Sequence, residues 1–193
     1  EGTNEINRML SVGMLIKKAM KGHVDLLGPA TAVGEELMGI PSFDTPDYSV
    51  LFAEEKEMIA NMKKVFLMVA GSAIKKYGAN LEEHQQLLMA AANILNEIYM
   101  SESTLLRAEK NAKRFGEDAQ DIQIAMAKLY LYNAVEIVIK NGKEGIISFA
   151  EGDEQRMMLM GLKRYTKYTN YPNVVALRNK IAEKLSTENK YCF

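Results

Sequence analysis

Three long amphipathic runs occupy the middle of this chain, and they leave little freedom in what it can fold into. From about residue 49 to 77, Phe52, Ile59, Met62, Phe66, Val69 and Ala73 recur at steps of three, four or seven. That spacing lines one face of an α-helix with apolar side chains. A second stripe, Leu87, Leu88, Ala91, Ile94, Leu95, Ile98, Leu105 and Leu106, runs on to Phe115-Gly116, and a third, Ile122, Met126, Leu129, Tyr130, Ala134, Ile137 and Val138, to Asn141-Gly142. Gly78 is a natural stop for the first helix. Asn80 followed by Glu83 reads as a capping box opening the second, and Asp118 marks the start of the third. Helices joined by only a few residues lie antiparallel as neighbours. The expected class is therefore all-α, an antiparallel up-and-down helical bundle. No strand alternation, repeat or low-complexity tract competes with it.

The flanks are less regular. Residues 4 to about 21 read as one helix with Ile6, Met9, Leu10, Gly13, Leu15 and Ile16 spread over a broad face, which suggests burial on more than one side. Residues 22–48 read as a linker punctuated by Gly22, Gly28, Pro29, Gly34, Gly39, Pro41 and Pro46, with a short amphipathic piece from Ala30 to Leu37. The loop from Pro41 to Pro46 marks the expected boundary with a bundle domain over 49–193. Within the tail, Gly145–Ala150 is a helical turn or a loop. Glu154–Tyr168 is a helix carrying Met157, Met158, Gly161, Tyr165 and Tyr168. Pro172 sits near the first position of the last helix, whose inner face is Val174, Leu177, Ile181 and Leu185.

Composition narrows the function classes. A formal charge of −1 over 193 residues gives no reason to expect nucleic-acid binding. The one cysteine, Cys192, cannot form an intramolecular disulfide and suits a reducing, cytoplasmic compartment. The longest plainly apolar run, Val65–Gly71, is far short of the ~20 residues that span a bilayer, so no transmembrane segment is expected. A di-iron carboxylate site in a helical bundle needs Glu-x-x-His pairs. Met20 precedes His23 by three residues and Leu81 precedes His84, so neither histidine qualifies and no metal is expected. Both histidines are read as solvent-exposed.

Glu54-Glu55-Lys56-Glu57 reads as a solvated face at a helix start, and Arg107, Lys110, Lys113 and Arg114 as complements to a helix C-terminus. Met157, Met158 and Met160 are either core or part of a protein interface. Tyr165, Tyr168 and Tyr171 beside Lys163, Arg164 and Lys167 suit packing of amphipathic side chains, a membrane surface or the phosphates of a coenzyme. No Ser-His-Asp set, Gly-rich phosphate loop or zinc pattern is present.

The first eight residues, Glu1-Gly2-Thr3-Asn4-Glu5-Ile6-Asn7-Arg8, carry the chemistry. Gly2 permits backbone angles denied to other residues. Thr3 or Asn4 can accept hydrogen bonds from the free N–H groups of the following helix, which presents Glu1 at a helix N-terminus. The string resembles the Glu-Gly-Thr-(Asn/Ser)-(Glu/Asp)-Ile-x-Arg motif of the acyl-CoA dehydrogenase flavoenzymes. The resemblance implies that Glu1 is the base that removes the α-proton of an acyl-CoA thioester. It also implies that Gly2 lies against the substrate and that Thr3, Asn4 and Glu5 contact FAD.

More loosely, the rest of the chain resembles the extra C-terminal helical domain of the very-long-chain group. That likeness implies a fragment of a longer enzyme, 1–21 being the last helix of its catalytic core. It further implies a homodimer, an electron-transfer flavoprotein as parent partner, and a chain that by itself binds no cofactor and is inert. The alternative is a stand-alone helical interaction module in which the motif is coincidence.

Overall fold

A computed structural model describes residues 2–39, 47–190 and 192, the side chain of Ala79 excepted. The readings made for Glu1 and for the Pro41–Pro46 loop lie outside the described residues. Among the described residues seven α-helices follow one another, α1 Asn4–Met20, α2 Leu27–Met38, α3 Ala53–Tyr77, α4 Gln85–Phe115, α5 Asp121–Phe149, α6 Gly152–Tyr165 and α7 Val174–Glu188, with short 3-10 turns at Gly78–Glu83 and Asp118–Gln120. The described residues contain no strand, so the all-α bundle expected from periodicity is what forms.

Helices α3, α4 and α5 are the antiparallel centre. Lys56 pairs with Glu109 at 2.8 Å and Lys63 with Glu102 at 2.6 Å, so residue numbers rise along α3 as they fall along α4. Their facing stripes supply Met62, Val65, Val69, Ile94, Leu131, Val135 and Val138 to the core. Each such large aliphatic side chain contributes about 1.5–3 kcal/mol by leaving water. Helix α6 closes the core with Met158, Leu162 and Tyr165. Helices α1, α2 and α7 lie outside, on α4, α3 and α5 respectively.

Several local expectations fail for identifiable reasons. Helix α5 does not stop at Asn141-Gly142 but continues to Phe149. A Cβ on Gly142 would sit 2.9 Å from Leu162 Cδ1 and 3.3 Å from Val65 Cγ1. Gly142 is thus a close-approach position, and the cost of about 1 kcal/mol for glycine inside a helix is offset by three helices meeting there. The expected Asn80–Glu83 box is absent, because residues 78–83 form a 3-10 turn and α4 starts at Gln85 without a side-chain cap. Pro172 lies ahead of the last helix, whose cap is Asn173, its side chain accepting from the Ala176 N–H at 3.1 Å. On that helix Val174, Leu177 and Ile181 are half-buried and Leu185 is 46% exposed, so its inner face is shallower than its stripe suggests.

The stretch read as irregular holds the twelve-residue α2, longer than the Ala30–Leu37 piece, with Val33 buried in the core. Helix α3 begins at Ala53, after Phe52, which is in the left-handed conformation (φ 62°) and fully buried. Helix α5 and its preceding turn, Asp118–Phe149, are long and apolar enough by length and composition to cross a membrane, although polar residues interrupt the apolar ones along it. Here Ala125, Leu131, Val138 and Ile146 of α5 are core residues, and α3, α4, α6 and α7 pack around it.

Candidate functional site

The N-terminal string enters α1 through Gly2, whose φ of +88° is open to glycine and strained for other residues. Thr3 takes the N-cap position in extended conformation (φ −75°, ψ 168°), yet its side chain makes no capping bond. The Glu5 carboxyl is instead held below the usual carboxylate range by its own backbone N–H, then by the Thr3 side chain, then by Arg8. Asn7 Nδ2 donates to Gly2 O at 3.3 Å and steadies the turn. Gly2, Thr3, Asn4 and Glu5 are all exposed to solvent. The structure brings these four together at one helix start, where all of them stay exposed among the described residues.

What holds that helix start in place was not visible as a site in the sequence. Arg8 Nη1 donates to Asn93 Oδ1 at 2.8 Å, Asn93 Nδ2 donates to Asn141 Oδ1 at 2.8 Å, and Asn141 Nδ2 donates to Ile137 O at 2.8 Å. This polar chain runs from α1 through α4 into α5 and ends at a residue only 7% exposed. Lys17 and Glu82 form a second link at 2.9 Å, and Val12 and Ile16 bury the apolar side of α1. The signal available in the sequence was an asparagine inside each of two apolar stripes. Asn141 passed as a helix stop because it precedes Gly142.

The charge run at the start of α3 is a tertiary knot, not a solvated face. Glu54 Oε1 accepts from the backbone N–H of Thr169 and Asn170 at 2.7 and 2.6 Å. Glu55 faces Lys128 at 3.4 Å, Lys56 faces Glu109, and Glu57 accepts from the Tyr48 hydroxyl at 3.1 Å. His84 is not a free surface residue either, since its ring stacks on Tyr77 with centroids 3.7 Å apart, whereas His23 is exposed. Among the described residues no three His, Cys, Asp or Glu side chains converge as metal ligands.

The methionine trio does not share a face: Met158 is in the core, Met157 is half-buried and Met160 is 73% exposed. Tyr165 and Tyr168 are core residues and Tyr171 is exposed. Burial raises the Tyr165 phenol to about 12, with nearby Glu36 adding to it. Tyr130 also reaches about 12, through burial and then its hydrogen bond to Glu97. In the basic edge of α4, Lys113 pairs with Glu109 and Arg114 lies over the Phe115 ring at 5.0 Å. Arg107 faces a groove of about 370 Å³ between α4 and α5.

Comparison with known proteins adds three findings. The profile of the family "Acyl-CoA dehydrogenase, C-terminal domain" matches residues 61–164. A probable acyl-CoA dehydrogenase of Bacillus subtilis (strain 168) is 34% identical over 191 residues, which is 99% of this chain and 32% of that protein. A crystal structure of an acyl-CoA dehydrogenase complexed with FAD, from Bacillus anthracis, superposes with a TM-score of 0.90 at 35% identity over 100% of this chain and 32% of that one. The chain therefore spans about a third of the length of these relatives.

Proposed function

Because this chain belongs to the acyl-CoA dehydrogenase C-terminal domain family, we propose that it is the C-terminal part of an FAD-dependent acyl-CoA dehydrogenase. The observation that carries this reading is the match along its whole length to an FAD-complexed relative, with the Glu-Gly-Thr-Asn-Glu-Ile-Asn-Arg string at the free end of α1. Helix and bundle occur together in that relative, which argues against an independent interaction module that carries the motif by chance.

In the proposed reaction Glu1 removes the α-proton of an acyl-CoA thioester. FAD, when bound by the parent enzyme, supplies the acceptor for the β-hydride. The residues at the start of α1 suit a place beside such a cofactor. Thr3 makes no side-chain capping bond, and Thr3, Asn4 and Glu5 face outward. Gly2 lies against the substrate, and Arg8 tethers the motif to the bundle. Reducing equivalents leave through an electron-transfer flavoprotein, and the reaction is a step of fatty-acid oxidation in the cytoplasm.

The bundle serves subunit association, as a homodimer. Ile6, Leu10 and Met14 support this role, each at least half exposed at four-residue steps on α1, an apolar stripe that a partner surface would cover. The chain alone is inert, since Glu1 then has no substrate pocket to act in.

Sedimentation of the purified chain across a concentration range, with flavin absorbance recorded in the peak, tests these points. A flavin-free dimer is expected. Stoichiometric flavin would overturn the inertness, and a monomer at every concentration would overturn the association. In the longer enzyme, Glu1→Gln is expected to keep FAD bound while abolishing its bleaching by acyl-CoA. Retained bleaching would remove Glu1 from the role of base.

A further inference from the structure

A groove of about 420 Å³ lies between α5 and the C-terminal half of α6, within the size range of small-molecule sites. Ile139, Leu159 and Leu162 give it an apolar lining, with Thr166 beside them, and Lys143, Lys163 and Lys167 also line it. All three lysines are exposed, and among the described residues none of them forms an ion pair.

A helix C-terminus accounts for only part of this cluster. Lys163 is in the last turn of α6 and Lys167 follows it, where cations complement the dipole. Lys143 belongs to α5, lies outside its last turn and has no such reason to be there. Three like charges lining one groove give it a positive potential that favours an anion among them. Tyr171, 65% exposed, adds an amphipathic wall at the groove.

We propose that this groove binds a single-chain anionic amphiphile of the fatty-carboxylate class. The carboxylate is held among Lys143, Lys163 and Lys167, and the alkyl chain lies over Leu159, Leu162 and Ile139. A concave site with an apolar floor and one cluster of cations suits one chain and one head group better than a flat lipid surface. The proposal rests on the groove alone and is independent of the role of Glu1.

Calorimetric titration of the chain with dodecanoate below its micellar concentration tests it, with dodecanol as the uncharged probe. Saturable one-site binding of dodecanoate is expected, at least about tenfold tighter than dodecanol, since each charge-assisted contact is worth that order. The triple variant Lys143→Gln/Lys163→Gln/Lys167→Gln changes exposed side chains only and should lose that tenfold preference, while the corresponding triple arginine variant should keep it. Equal affinity for the two probes, or unchanged dodecanoate binding by the glutamine variant, would overturn the proposal. So would co-sedimentation with anionic phospholipid vesicles in the absence of any saturable binding of dissolved dodecanoate.

Discussion

Replacing Asn93 by leucine should destabilise the protein by about 2 kcal/mol, most of it through a residue that is not mutated. Asn141 is 7% exposed, and its Oδ1 accepts from Asn93 Nδ2. Leucine at 93 has nearly the same size but donates nothing, so a buried acceptor loses its partner at a cost of about 1–3 kcal/mol. The Arg8–Asn93 bond is lost as well, but Arg8 is solvent-exposed. Water replaces that contact, and its loss adds at most about 1 kcal/mol. With a urea dependence near 2 kcal/mol per molar, the unfolding midpoint should fall by about 1 M.

Hydrogen exchange should also report faster opening of α1 than of α3. The decisive comparison is the double variant Asn93→Leu/Asn141→Leu. It removes both partners, leaves no orphaned side chain between α4 and α5, and should be more stable than Asn93→Leu alone. A single variant with an unchanged midpoint, or a double variant costing the sum of the two singles, would refute the Asn93–Asn141 bond as a source of stability.

Phe52 offers a test of backbone strain. Truncating its fully buried side chain should cost about 3–5 kcal/mol, but alanine keeps the strain of the left-handed conformation and glycine does not. Phe52→Gly should therefore be more stable than Phe52→Ala by about 1 kcal/mol in urea unfolding, and the reverse order would refute the strain. The raised phenols predict an alkaline transition. Tyr130 and Tyr165 move from 10.0 to about 12 in the folded protein. Their neutral forms therefore contribute stability that is complete below about pH 10 and is lost as the pH rises through about 12. Absorbance titration should show Tyr130 and Tyr165 ionising only with loss of helical circular dichroism. Ionisation of all nine tyrosines near pH 10 with the fold intact would contradict it.

The exposed N-terminal motif and the polar chain bear on one question, how a bundle remote in sequence can matter to a helix start. The Arg8 side chain is the link, because it belongs to the motif and ends on Asn93 of α4. In the proposed longer enzyme this makes the bundle a support for the helix that carries the motif.

Much of this architecture was legible in the order of residues. The helices α3, α4 and most of α5 follow from period alone, and Gly78 and Gly116 end α3 and α4 where expected. The candidate site was legible as a string, through Gly2 to Glu5, because its residues are neighbours along the chain. Tertiary structure decided the rest, and in each case the reason is a partner far away in sequence. Gly142 is a contact point rather than a stop because Leu162 and Val65 need the space of its missing side chain. Glu54 is a clamp rather than a surface charge because the backbone of Thr169 and Asn170 offers two N–H groups that helical residues no longer have free. Asn93 and Asn141 look misplaced in apolar stripes until the two helices and Arg8 are brought together. Periodicity records which face of a helix is buried, a local property of the chain. Which polar group waits on the other side of that face is a property of the assembled fold.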